Sequence, residues 1–325
     1  MGLISALSAR LSQALLLLLA MSLLGFIGIH SVGNPVFNVV NIETATPEDI
    51  RRATAALGLD LPIWQQYGLF LKNVVSGNFG TSYIYHQPAF DLVLGKLPAT
   101  LELACAAMLL STVTGVGLGL VAGRRKGTAF DRTVLNGSVF ALSVPSFWLS
   151  MMLILTGAVL TGWFPSGGRG TTASFAGSEW SFLTADGLRH MVLPMLALAI
   201  PNIALIARLT RSGTIEVEQQ EFTRFCRARG LSPKRILLAH TLPNISVPLV
   251  TIIGLQFGGM LAFAVVVESI FAWPGIGKLL IDSIQLLDRP VVMASLTFTA
   301  VSFVTLNAVV DLYYAFVDPR VRLSP

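Results

Sequence analysis

The sequence predicts an all-α polytopic membrane protein with six transmembrane helices. Three observations carry this. Of the 325 residues 54% are hydrophobic and 12% charged, with a mean hydropathy of +0.72, whereas soluble domains carry about 25% charged residues and need that polar surface to cover their cores. Apolar segments near the length of a spanning helix recur along the chain. Lys and Arg gather on alternate connections between them. The length suits one membrane domain.

The apolar segments fall at 11–32, 99–122, 134–160, 190–210, 246–270 and 291–314. The first follows Arg10 and runs apolar from Leu11 to Ile29 without a small-residue cleavage pattern, so an uncleaved anchor is expected over 1–32 rather than a signal peptide. An outer loop follows over 33–97, then a transmembrane domain over 98–315 with a long inner loop at 211–244, and a tail over 316–325. With both termini inside, the inner segments collect Arg124, Arg125, Lys126 and Arg132, then Arg208, Arg211, Arg224, Arg227, Arg229, Lys234 and Arg235, then Arg320 and Arg322. Topology thus explains the net charge of +5 without nucleic acid as a partner.

The outer loop carries its own signals. Thr46-Pro47-Glu48-Asp49 reads as an N-cap, a first-turn proline and first-turn acids, and Gly58 is placed to end that helix. From Pro62 to Val75, Trp64, Tyr67 and Leu71 fall at helical spacing. Two readings stand: an amphipathic helix anchored in membrane lipid by its aromatics, or a surface that meets an external partner. Within the spans, Gly115, Gly119 and Gly123 repeat every fourth residue, as do Gly254 and Gly258, a spacing that lets helices approach closely. Pro145, Pro194, Pro201 and Pro248 interrupt apolar segments, as a wet pathway or kinked packing helices would require. Glu102, Ser143, Pro145 and Glu268 are the pathway candidates; Glu102, Glu268 and Asp311 are the acids assigned to spans, all near span ends.

The inner loop 211–244 is the most informative stretch. A helix is expected from Thr214 to Arg229, with Ile215, Phe222, Phe225 and Cys226 on one stripe, Glu216, Glu218 and Glu221 toward its start, and Arg224, Arg227 and Arg229 toward its end. Gly230 ends it in a left-handed cap, and Ser232-Pro233 starts a second helix that Leu242-Pro243 closes. The readings are a solvated surface hairpin or a docking element for a cytoplasmic partner; tethering to the bilayer at both ends argues against a DNA reader.

Glu221 to Pro233, followed by His240-Thr-Leu-Pro-Asn244, resembles the coupling ("EAA") loop of ATP-binding-cassette (ABC) importer permeases, with Arg224, Phe225 and Cys226 at the name-giving positions. The arginine there is similar to the dipeptide/oligopeptide/nickel branch. Gly58–Pro62 with Gln66-Tyr67, Gly77–Ser82, Leu97–Leu103, Ser143–Trp148, Phe271–Gly277 and Asp318–Arg322 resemble that branch in the same order. Gly33-Asn34-Pro35 departs from it, since an aspartate usually stands in the middle. The resemblance implies a type I ABC importer permease fold in the bacterial inner membrane, as the first of two homologous permeases. Its partners would be two cytoplasmic ATPases that bind ATP and Mg, and a periplasmic substrate-binding protein. Glu221, Arg224, Phe225, Arg227, Arg229, Gly230, Leu231, Leu242, Pro243 and Asn244 would meet an ATPase; Trp64, Tyr67, Gly77 and Gly80 would dock or gate beneath the binding protein. Cargo stays open among di- and oligopeptides, glutathione, nickel chelates and glycosides.

The chain itself lacks a phosphate-cradling GxxxxGK[S/T] loop: Gly277-Lys278 and Gly95-Lys96 are each followed by leucine. It also lacks HExxH and GxSxG, so no enzyme activity and no cofactor is expected in it, and the four scattered histidines with Cys105 and Cys226 form no metal-ligand pattern. The alternative class is a self-sufficient secondary transporter, which would show internal repeats and midplane charges.

Overall fold

The computed structural model describes residues 3–33, 36, 40 and 46–317. Asn34-Pro35, the Asp318–Arg322 ending and most of the expected tail lie outside the described residues. Helices dominate: α1 (Leu3–Val32), α2 (Pro47–Ala56), α3 (Ile63–Val75), α4 (Ala89–Arg124), α5 (Ala129–Ser143), α6 (Ser146–Leu153), α7 (Ala185–Gln219), α8 (Glu221–Ala228), α9 (Pro233–Ile236), α10 (Leu242–Ile270), α11 (Ile276–Gln285) and α12 (Arg289–Val317). A two-stranded antiparallel hairpin, β1 (Ala173–Phe175) and β2 (Ser178–Trp180), lies between α6 and α7. Among the described residues four helices are long and apolar enough to cross a membrane, and α5 with α6 adds a fifth if that bent pair is one span; Leu15–His30 of α1 is a shorter apolar stretch.

The chain divides into two compact units, residues 1–100 with 274–304 and residues 101–273 with 305–325, the boundaries falling inside α4 and α12. In the first unit Phe26 and Ile29 of α1 pack with Val292 and Met293 of α12, and Tyr67 and Phe70 of α3 join them. Ala89 and Val93 of α4 pack with Ile276 and Leu279 of α11 and with Val291 and Ala294 of α12. Buried Asp288 ties the loop before α4 to α12: it accepts from the Ser82 hydroxyl and from the Tyr83 amide at 3.2 Å. The cap on α2 is a full capping box, in which Thr46 accepts from the Asp49 amide and the Asp49 carboxylate accepts from the Thr46 amide at 3.0 Å. Those bonds hold the Asp49 carboxyl below its ordinary range. The cap is therefore intact at neutral pH and weakens as pH falls through the lowered value.

The second unit is organised around α7, which departs from its apolar segment. It continues past residue 210 through the polar stretch to Gln219. Gly115, Gly119 and Gly123 of α4 face Ile206, Thr210 and Thr214 of α7, three residues at the same four-residue spacing. A Cβ on Gly119 would stand 2.6 Å from the Ala207 carbonyl oxygen, and one on Gly123 would stand 3.0 Å from that of Arg211. Only hydrogen fits there, so two backbones meet as small-residue seams in membranes do. Gln256 of α10 donates to Asn202 of α7 at 2.8 Å, a polar tie within the apolar packing.

Proline shapes the rest. The expected span 134–160 is not straight. It bends by 104° between α5 and α6, because the ring of Pro145 drives Val144 out of helical geometry (φ −83°, ψ 125°). Conversely, Leu242-Pro243 does not end a helix. Residues from Pro233 run on through a wide π turn, Leu237–Thr241, into α10. That turn sits just where the Pro243 ring would collide with the carbonyl four residues back in a regular helix.

Replacing Gly119 by alanine should lower stability by about 1–3 kcal/mol through overpacking, whereas alanine at Gly117, whose surroundings within 4 Å are empty, should be tolerated. Unfolding midpoints of the two purified variants check this: equal midpoints contradict the seam.

Candidate functional site

The inner loop is a short helix held between two long ones. Gln220 adopts an extended conformation (ψ 150°) that separates α7 from α8. Buried Thr223 spans the break, its hydroxyl donating to the Val217 carbonyl at 2.7 Å. α8 closes in a Schellman motif: the Gly230 amide donates to Arg227 O at 2.9 Å and the Leu231 amide to Cys226 O at 3.2 Å. Gly230 has φ +76°, as that motif requires, and open space where a Cβ would stand. Ser232 then caps α9 by accepting from the Arg235 amide, with Pro233 at the first helical position.

The expected helix from Thr214 to Arg229 is therefore two helices, and its stripe is divided. Ile215 belongs to α7. Phe222 turns inward, against a cluster of Leu120, Ile206, Val217, Ile245 and Leu249 that Leu237 and Leu242 complete. Phe225 turns outward and is 58% exposed, with the Arg229 guanidinium 4.6 Å from its ring centre. Beside it Arg224 pairs with Glu221 at 2.9 Å on the surface. Glu216 and Glu218 correct the expected charge order: they end α7 instead of opening the helix expected from Thr214 to Arg229. Glu218 is a hub between helices, 3.4 Å from Arg124 and 2.9 Å from Arg227. Below them Arg211 holds the buried carboxylate of Asp131 with two nitrogens. Gly213 adds a close contact, since a Cβ there would meet Ile245 at 2.8 Å. Leu242 and Pro243 lie on the rod leading into α10, and exposed Asn244 donates to His240 O at 2.7 Å. The result is a small exposed knob, Phe225 to Gly230, fixed to three long helices.

The outer candidates separate. Trp64 is 71% exposed. Tyr67 is half-buried: its ring packs 5.3 Å from Phe26 and its hydroxyl meets Ser22 Oγ at 2.9 Å, fastening α3 to α1. Gly77 (φ +74°) and Gly80 (φ +84°) are turn glycines in the left-handed conformation.

The pathway candidates also separate. Glu102 is buried and bound on both oxygens, to Arg169 at 2.7 Å and to the Ser181 amide at 2.9 Å. Arg169 in turn reaches the Glu179 carbonyl and lies 6.0 Å from the Trp273 ring centre. Glu102 thus tethers the hairpin segment. Glu268 is fully buried, and its carbonyl accepts from Trp273 at 2.8 Å. Ser143 and Pro145 are exposed at the 104° bend. Arg169, Asp131 and Arg211 were not singled out from sequence; their partners lie 67 and 80 residues away, and no local pattern marks such pairs. Among the described residues no cluster of His, Cys, Asp or Glu is placed to hold a metal ion.

Residues 115–323 match the family model described as binding-protein-dependent transport system inner membrane component, and residues 3–104 match its N-terminal companion model. The chain is 36% identical over 334 residues to the di/tripeptide transport system permease protein DppB of Pseudomonas aeruginosa (strain UCBPP-PA14), covering 98% of this chain and 99% of that one. It is 35% identical to the dipeptide transport system permease protein DppB of Escherichia coli (strain K12), covering 96% and 97%. It is 33% identical to the protein of the same name from Alkalihalophilus pseudofirmus, covering 96% and 98%.

If Glu102 is a tether, Glu102→Ala and Arg169→Ala should each lower the unfolding midpoint, with a cost of about 3–5 kcal/mol for the partner left unpaired. The double variant should cost less than the sum. Changed uptake at an unchanged midpoint would return Glu102 to the pathway.

Proposed function

Because this chain belongs to the binding-protein-dependent transport system inner membrane components, we propose that it is one of two homologous permeases of an ATP-driven importer of di- and oligopeptides. Peptide cargo rests on the names of the similar permeases. A binding protein delivers peptide to the outer face, and two ATPases engage the inner face. ATP and Mg are held in those ATPases, and this chain hydrolyses nothing itself. Both termini and the loop 211–244 face the cytoplasm, where the excess of Lys and Arg lies.

The observation that carries the reading is the knob. An exposed aromatic under a guanidinium, on a two-turn helix, suits a groove on a partner. Its inward side supports transmission: Phe222, Thr223 and Glu218 bind it to α7, α4 and α10, so a push on Phe225 is delivered to those helices. Closure of the ATPases would move the permease as rigid bodies between inward-open and outward-open states, driven by the difference in contacts between the two.

The test is Gly230. Gly230→Val places a β-branched residue at φ +76° and should cost about 1–2 kcal/mol locally. It should uncouple peptide uptake from ATP hydrolysis in the reconstituted complex, or release the ATPases. Gly230→Asn, a residue that tolerates this conformation, should keep most of both activities. Wild-type uptake and hydrolysis in Gly230→Val would make the knob a passive surface turn.

A further inference from the structure

One cavity in the first unit stands apart by its charge. It encloses about 480 Å³ between the C-terminal end of α1, the loop after α2, α3 and the first turn of α12. Its floor is apolar, made by Phe26, Phe70 and Met293. Its walls carry Arg289, His30, Gln66 and Asn73, and no carboxylate lines it among the described residues.

Arg289 is the anomaly. Its Nη2 donates to the Gly33 carbonyl at 2.8 Å and its Nη1 lies 3.4 Å from His30 Nε2. Its Nε is buried with no hydrogen-bond partner among the described residues. No carboxylate pairs with it there either. The adjacent Asp288 is already committed to Ser82 and the Tyr83 amide. A partly buried guanidinium with no carboxylate partner among the described residues is expensive there. The surroundings nevertheless hold it in place. His30 is wedged between Phe26 O at 2.9 Å and Gln66 Oε1 at 2.8 Å, and Gln66 is anchored in turn on Leu61 O at 2.8 Å.

We propose that this cavity is an anion site in which Arg289 is the charged donor and the occupant is a phosphate or carboxylate group. The guanidinium fork matches either group, and the anion supplies a countercharge that no described lining residue provides. The aromatic floor accommodates a hydrocarbon portion attached to the anion. Two sources offer this chemistry: the headgroup of an anionic phospholipid, and a soluble anion.

The complete complex, co-expressed with its partner subunits, would be placed in phosphatidylcholine nanodiscs with and without phosphatidylglycerol and examined by native mass spectrometry. A second arm would titrate inorganic phosphate into the phosphatidylcholine-only sample and follow ³¹P line broadening. Preferential retention of phosphatidylglycerol identifies the lipid source, and saturable broadening identifies the soluble source; either supports the site. Arg289→Gln should weaken the response about tenfold or more, the scale of a lost charge-assisted hydrogen bond, and Arg289→Lys, which keeps the charge but not the fork, should weaken it less than Arg289→Gln does. Leu59→Trp, which puts a larger side chain into the cavity lining, should weaken it as well. Neither response in the wild-type complex, or equal responses in wild type and both disabling variants, would overturn the proposal.

Discussion

The close approach of α4 to α7 is the constraint on which the second unit depends. Three glycines at four-residue spacing bring α4 against the Ala207 and Arg211 carbonyls. Ile206, Thr210 and Thr214 of α7 fill the space the glycines leave, so the two helices have little freedom to slide. That seam fixes α7 in place. α7 then extends past the apolar region, and the loop 211–244 is hung on that extension: Arg211 on Asp131, Gly213 on Ile245, Glu218 on Arg124 and Arg227, and Val217 on Thr223. The knob at Phe225 is small and polar, and on its own too short to be a stable helix. Its order comes from this tertiary frame.

The two ends of the knob show how the frame carries load. On one side the chain breaks at Gln220, yet Thr223 and Phe222 close the gap at once. On the other, Gly230 reverses the chain and the following rod runs from Pro233 into α10 without interruption, because a π turn absorbs Pro243. A straight α-helix would have kinked or ended there. The outer elements follow a different logic. Tyr67 and buried Asp288 fasten short helices and loops to α1 and α12 by specific polar contacts, and Glu102 does the same for the hairpin.

What the sequence made legible follows the range of the interaction. Caps and turns are local, so Thr46, Gly58, Gly230 and Ser232-Pro233 could be placed from neighbouring residues alone, and each adopts the expected conformation. The glycine seam was legible as a repeat, though its partner helix was not. The break at Gln220 escaped because Glu216 to Arg229 is continuous in helix propensity, and only the pull of Phe222 and Thr223 toward α7 and α10 divides it. Leu242-Pro243 misled for the opposite reason: a proline is a strong local stop signal, overridden here by packing of Leu242 and Ile245. Tyr67, Glu102 and Asp131 are explained by partners 45, 67 and 80 residues away, beyond the reach of any pattern in a single sequence.

The central claim is that the knob, α7 and the inner end of α4 move as one body. Spin labels on Val121 of α4 and Glu221 at the start of α8, both exposed, would report it directly in a background lacking Cys105 and Cys226. Distances would be measured by pulsed electron paramagnetic resonance in the assembled transporter, with ATP trapped and without nucleotide. The account predicts one narrow distribution that is the same in both states. A second population, or a shift of the distribution on trapping ATP, would show that the knob moves independently of the helices and would contradict it.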